Sequence, residues 1–188
     1  IRDHRCQSPL YREIPDEFIA YLLHGEPQLQ LPEFFNDLAH YEWMELTLET
    51  AKPAETRNII PWPKNPLPCV PAVNPVLHLL HYRYPVQRIT ASDKYWQTWG
   101  ARRGHYAQQA VTLAGFRDSD FNIQFIEINT VTARLIELLQ AQFCTGEQAL
   151  LLLASEMRYN DPTDILPFGI DILQQLQAQQ IIIGAFDV

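Results

Sequence analysis

The sequence predicts an α+β protein: a helical N-terminal region, then an antiparallel sheet of three to four strands that carries three helices. Three observations predict it. Residues 16–52 repeat apolar side chains at helical spacing. Residues 61–71 hold five prolines, which neither a helix nor a central strand tolerates. Beyond them, β-forming stretches joined by a short polar turn come before three helical patterns. With 188 residues, 47% of them apolar, the chain is long enough to bury a sizeable core.

In the N-terminal region, Pro15-Asp16-Glu17 supplies the proline and acids favoured in a first helical turn. Phe18, Ile19, Tyr21, Leu22 and Leu23 follow, and Gly25 stops the helix. Leu31-Pro32-Glu33 opens a second helix running to about Lys52, with Phe34, Phe35, Leu38, Tyr41, Met44 and Leu48 on its apolar side. Pro61, Pro63, Pro66, Pro68 and Pro71 then predict an extended connector. The expected organisation is a helical region over 1–57, a linker over 58–73 and an α+β domain over 74–188.

Within that last stretch, Val76 to Tyr84 reads as a strand bent by Pro85, residues 92–104 as an irregular excursion and His105 to Phe116 as a second strand. Arg117-Asp118-Ser119-Asp120 is a polar turn, and Phe121 to Ile128 is a third strand, so the last two should form an antiparallel hairpin. A helix begins at Asn129 or Thr130 and buries Val131, Leu135, Leu138 and Leu139. A second is opened by Thr145-Gly146-Glu147-Gln148, a capping box, and buries Leu150 to Leu153, Ala154 and Met157. A third spans Pro167 to Ala178 with Phe168, Ile172, Leu173 and Leu176 inward, and Ile181 to Phe186 closes as a last strand.

Composition narrows the function. No apolar run approaches the roughly 20 residues of a membrane-spanning helix, no signal segment is evident, and a cytoplasmic location is the expectation. The sequence opens at Ile1 without a methionine, which reads as a fragment of a longer chain. The formal charge of −8 is uneven: −6 over 1–57, +1 over 58–73, +5 over 74–117 and −8 over 118–188. The basic middle offers Arg83, Arg88, Arg102 and Arg103 to an acidic partner segment. Residues 118–188 carry two basic side chains against ten acids, too few for phosphate contacts along DNA.

Signals of catalysis are weak. His78 and His81, three apart on a strand, fall on opposite faces. Asp37-x-x-His40 matches half of a carboxylate-bridged di-metal helix, but no second copy occurs; a structural role for His40 and Trp43 at an interdomain face is the expectation. Cys6, Cys69 and Cys144 have no close spacing and no basic neighbour. No phosphate-binding glycine loop is present. The expectation is a protein without catalytic residues, metal or cofactor.

Three strands followed by three helices is a winged-helix-like order. The stretch Asn129-Thr130-Val131-Thr132-Ala133-Arg134-Leu135-Ile136-Glu137-Leu138-Leu139, where a strand passes straight into a Thr/Ala-rich helix, resembles PqqD-like domains over residues 75–186. Those domains recognise the leaders of ribosomally made, modified peptides. A second resemblance rests on Arg2-Asp3-His4-Arg5-Cys6-Gln7-Ser8-Pro9-Leu10-Tyr11-Arg12-Glu13-Ile14-Pro15, on Leu38-Ala39-His40-Tyr41-Glu42-Trp43-Met44-Glu45-Leu46 and on Tyr82-Arg83-Tyr84-Pro85-Val86-Gln87-Arg88-Ile89. These are similar to a family of bacterial proteins labelled as DNA-binding domains. Its members resemble the HvfC and MbnC partners of multinuclear non-haem iron oxidases, enzymes that modify cysteine-bearing precursor peptides. That family has a helical region ahead of the arginine–histidine stretch.

Both resemblances imply that the chain holds a peptide. In PqqD-like domains the peptide lies between the third strand and the third helix, which here implicates Asn122, Gln124 and Ile126 on the strand and Phe168, Ile172 and Gln175 on the helix. The implied function is an accessory protein that binds a precursor leader and presents it to a separate iron oxidase. The helices of residues 16–52 would dock that enzyme. The alternative is a winged-helix transcriptional regulator, whose recognition helix would offer Gln174, Gln175 and Gln177 but no base.

Overall fold

The computed structural model describes residues 13–24, 31–52, 58–89, 108–141 and 143–187. The chain divides into two compact units, one drawn from residues 1–50 and 81–111 and the other from 51–80 and 112–188. The fold is α+β, with five α-helices and two three-stranded antiparallel sheets among the described residues.

The first unit contains α1 (Ile14–His24) and α2 (Phe35–Thr50). Asp16 and Glu17 stand in the first turn of α1, where the exposed N–H groups favour negative charge. Phe34, Met44 and Leu48 are buried, as the helical spacing predicts. A short 3₁₀ turn, Val86–Arg88, follows Pro85.

The second unit holds β1 (Ile59–Ile60), β2 (Val70–Val73), most of β3 (His78–Tyr82), nearly all of β4 (Val111–Arg117), β5 (Ile123–Ile128), α3 (Thr130–Ala141), α4 (Gly146–Glu156), α5 (Leu166–Ala178) and β6 (Ile182–Phe186). One sheet has the order β3-β4-β5 and the other the order β1-β6-β2. The hairpin is antiparallel, with Thr112 opposite Ile128 and Arg117 opposite Ile123. The strand before it starts at Val111 rather than His105; residues 90–107, which hold the expected excursion, lie outside the described residues. The last strand forms where expected but pairs with β1 and β2 instead of extending the hairpin sheet.

Residues 58–73 form β1 and β2, with a turn between them in which Cys69 N donates to Pro66 O. Pro71 is tolerated because β2 is an edge strand, where one face of the ladder needs no donor. Proline lacks an N–H, but its carbonyl still accepts, as do those of its neighbours. Leu67 O accepts from Glu147 N and Cys69 O from Gly146 N, both at 2.9 Å. Gln174 in α5 donates to Pro63 O and Lys64 O, and accepts from the Trp62 indole at 3.1 Å.

The core of this unit joins Ala114 and Phe116 of β4 to Leu135, Ile136, Leu138 and Leu139 of α3, to Leu150 and Leu153 of α4, and to Leu173 and Leu176 of α5. The capping box of α4 forms: Gln148 N donates to Thr145 Oγ1 and Thr145 N to Gln148 Oε1. Asn129 caps α3 by accepting from Thr132 N. Leu152, Met157 and Phe168, expected inward, are exposed instead. Leu152 and Phe168 lie off the stripe that each helix turns to the core, which runs through Leu150, Leu153 and Ala154 in α4 and through Gly169, Leu173 and Leu176 in α5, and Met157 lies past the last residue of α4.

Asn74 ties the two sheets. Its side chain is buried, and its amide donates to Arg117 O at 2.9 Å and Gln180 O at 3.2 Å, while Oδ1 accepts from Val76 N. Asn74→Leu should lower stability by about 2 kcal/mol, because two half-buried carbonyls lose their donor; urea unfolding of the full chain measures it. Helices α4 and α5 touch at Gly169, where a Cβ would come within 2.3 Å of the Leu150 side chain. Gly169→Ala should therefore destabilise by about 1–3 kcal/mol, despite alanine's better helix propensity, and lower the melting temperature.

Candidate functional site

The sequence-predicted residues fall at two ends of β5. At its start, Asp118 organises the hairpin turn. Its carboxylate accepts from Asp120 N at 2.9 Å, Asn122 N at 2.8 Å and the Gln124 amide at 2.8 Å, with the Asn122 amide at 3.3 Å. Burial alone would raise the Asp118 carboxyl, but the donors from Gln124, Asn122 and Asp120 outweigh it and hold the group below the ordinary aspartate value. Asn122 and Gln124 are thus engaged in the turn. Phe121 completes the turn at φ 65°, a conformation costly for a bulky side chain, with the Arg117 guanidinium 5.9 Å from its ring centroid. Ile126 packs against the core from mid-strand.

At the other end, a groove of about 130 Å³ lies between the end of β5 and α5. Ile172 and Gln175, two of the predicted residues, line it with Leu176 and Gln179. Glu127 and Ile128 close it from β5, and Asn129 and Thr132 from the start of α3. These six partners escaped sequence reasoning, although Leu176 and Gln179 follow Ile172 at the i+4 and i+7 positions of one helix face. Phe168 stands one turn before Ile172 on the same side of α5 and is 70% exposed. β5 borders the sheet among the described residues, with β4 on one side. The lining combines aliphatic side chains, amides and the Glu127 carboxylate, and contains no lysine or arginine. At this volume the groove takes a side chain or two rather than a whole small-molecule substrate, which needs several hundred cubic ångströms.

Arg83 and Arg88 are exposed in the first unit. Arg102 and Arg103 lie outside the described residues. Among the described residues, no three His, Cys, Asp or Glu side chains converge as metal ligands, and no helix is long and apolar enough to cross a membrane. Cys69 and Cys144 are both unbridged, and burial raises the Cys144 thiol above its usual value.

The family model of the HvfC C-terminal domain matches residues 74–177. The chain belongs to this family. No curated protein matches it. The matched region includes all of β5 and α3 and most of α5, so it supplies every lining residue of the groove except Gln179. An HvfC-type domain suggests an accessory partner in an oxidase system.

In the first unit, the Asp37-x-x-His40 pair serves the backbone and an aromatic cluster. Asp37 Oδ2 accepts from Arg83 N at 2.8 Å and Tyr84 N at 3.2 Å. His40 Nδ1 lies 2.9 Å from the Tyr82 hydroxyl, and its ring meets those of Trp43 and Tyr82 edge-on. Tyr84 donates to Glu33 at 2.7 Å, and the Trp43 indole donates to Asp16 at 2.5 Å. This pair fastens α2 to residues 82–84.

Burial lowers the His40 imidazole below its usual 6.5, against the opposing pull of Asp37. The folded chain therefore binds fewer protons here than the unfolded chain. The contribution is whole above about pH 6.5 and is lost as pH falls below it towards the folded value. His40→Gln should flatten the fall in the urea midpoint between pH 7 and pH 5 relative to the unmodified chain.

Proposed function

We propose that this HvfC-type chain is a non-catalytic accessory protein that binds the leader of a ribosomally made precursor peptide and presents it to a separate, multinuclear iron-dependent oxidase in the cytoplasm. The observation that carries this reading is the groove between β5 and α5, where a border strand and an amide-lined helix face lie side by side. A border strand can take an added strand by backbone pairing, and neighbouring side chains select the sequence. Membership in the HvfC C-terminal domain family supports the accessory role. PqqD-like domains, which the hairpin followed by three helices resembles, hold leaders between the corresponding elements.

The charge balance disfavours a DNA reader. Gln174, one of the three glutamines that could face bases, is held by Trp62, Pro63 and Lys64. The groove brings no cation that could neutralise a phosphate.

Calorimetry with the synthetic leader of a precursor peptide encoded beside the gene tests the proposal. One-to-one binding is expected. Gln175→Trp, which fills the groove from an exposed position, should weaken it at least tenfold while circular dichroism stays unchanged. Binding that Gln175→Trp leaves intact, or salt-sensitive binding of random duplex DNA with no response to the peptide, overturns the proposal.

A further inference from the structure

We infer that the groove selects an extended peptide segment carrying two apolar side chains two residues apart, followed by polar residues other than acids. This rests on the peptide-binding reading above and names the class of peptide. The face of α5 towards the groove carries Phe168, Ile172, Gln175 and Gln179 in sequence steps of four, three and four, so the four side chains form one stripe. Four helical residues rise about 6 Å. Two residues of an extended strand advance about 6.6 Å. A strand lying along α5 therefore presents alternate side chains in step with the first two positions of this stripe, while the shorter step of about 4.5 Å from Ile172 to Gln175 ends the match.

The stripe spans about 16 Å at 1.5 Å per helical residue, the reach of about five strand residues. Its first two positions are apolar. Ile172 lines the groove with Ile128 and Leu176, and Phe168 is 70% exposed one turn away. Its last two positions are amides, which match peptide N–H and C=O groups or neutral polar side chains. Glu127 is in the lining and no lysine or arginine is, so an aspartate or glutamate set here would lose hydration and meet a like charge. Docking residues other than acids are therefore expected at this groove, in contrast to an acidic segment steered by the arginines of residues 74–117.

Selection of random decapeptides displayed on phage against the full chain, followed by synthesis of the most enriched peptide, tests this. Enriched sequences should share apolar residues at i and i+2 and be depleted of acids. In fluorescence polarisation, serine at either apolar position should weaken binding about tenfold, and serine at the residue between them less than twofold. Phe168→Ser, which removes an exposed side chain and leaves the core intact, should abolish the preference at one of the two apolar positions only. If peptides are enriched and Gln175→Trp blocks them, but no i, i+2 pattern emerges or Phe168→Ser leaves it unchanged, this inference fails while the peptide-binding reading stands. If no peptide is enriched, both fail.

Discussion

The Asn74 carboxamide binds three stretches of main chain that lie far apart in sequence. Its amide reaches the carbonyl that ends β4 and the carbonyl of Gln180, and its oxygen holds the turn that leads into β3. Its own backbone adds a bond from N–H to Ile181 O. One buried side chain thereby fixes the end of β2, the end of the hairpin sheet and the exit of α5. Such a group is costly in an apolar interior unless its donors and acceptor are met, and here both amide donors and the oxygen have partners. Gln180 shows the consequence. It ends α5 in the left-handed region at φ 62°, a place usually given to glycine. It is held there by its carbonyl on Asn74 and by its side chain, which accepts from Ser119 N at 2.6 Å. The direction in which α5 leaves the sheet, and with it the opening of the groove, depends on this node.

Local chemistry made much of the fold readable from the residues. The Thr145–Gln148 box, the Asn129 cap and the hairpin around Asp118 each rest on side chains that bond to backbone within a few residues, so sequence spacing suffices to find them. What escaped depends on distant partners. Nothing near Ile182 tells it to pair with Val73 across more than 100 residues. The prolines of 61–71 report an inability to donate, not the carbonyls that tie this stretch to α4 and α5. Of the candidate site, the helix half was legible because Ile172 and Gln175 sit on one face. The junction of β5 with α3 was not, because Asn129 reads first as a cap.

Two carboxylates that stand near candidate sites have structural tasks. Asp118 closes the hairpin with the amides of Asn122 and Gln124, which removes those two side chains from easy contact with a visitor. Asp37 holds the N–H groups of Arg83 and Tyr84, and His40 meets Tyr82, so the pattern that resembles half of a metal centre is a fastening between α2 and residues 82–84. Burial raises the Tyr82 hydroxyl far above its usual value, which keeps it protonated as part of this contact. Polar pairs with catalytic spacing are also what a small unit needs to satisfy backbone donors, and distance alone separates the two uses.

The groove is what the folding interactions leave over. Along α5, Leu173 and Leu176 are spent on the core, Gly169 on the approach of α4, and Gln174 on the proline segment. Phe168, Gln175 and Gln179 have no comparable task, and they share a face with the half-buried Ile172. The groove therefore draws its helix side from residues that the packing of the unit does not use, and the ring of Phe168 continues that face one turn before Ile172.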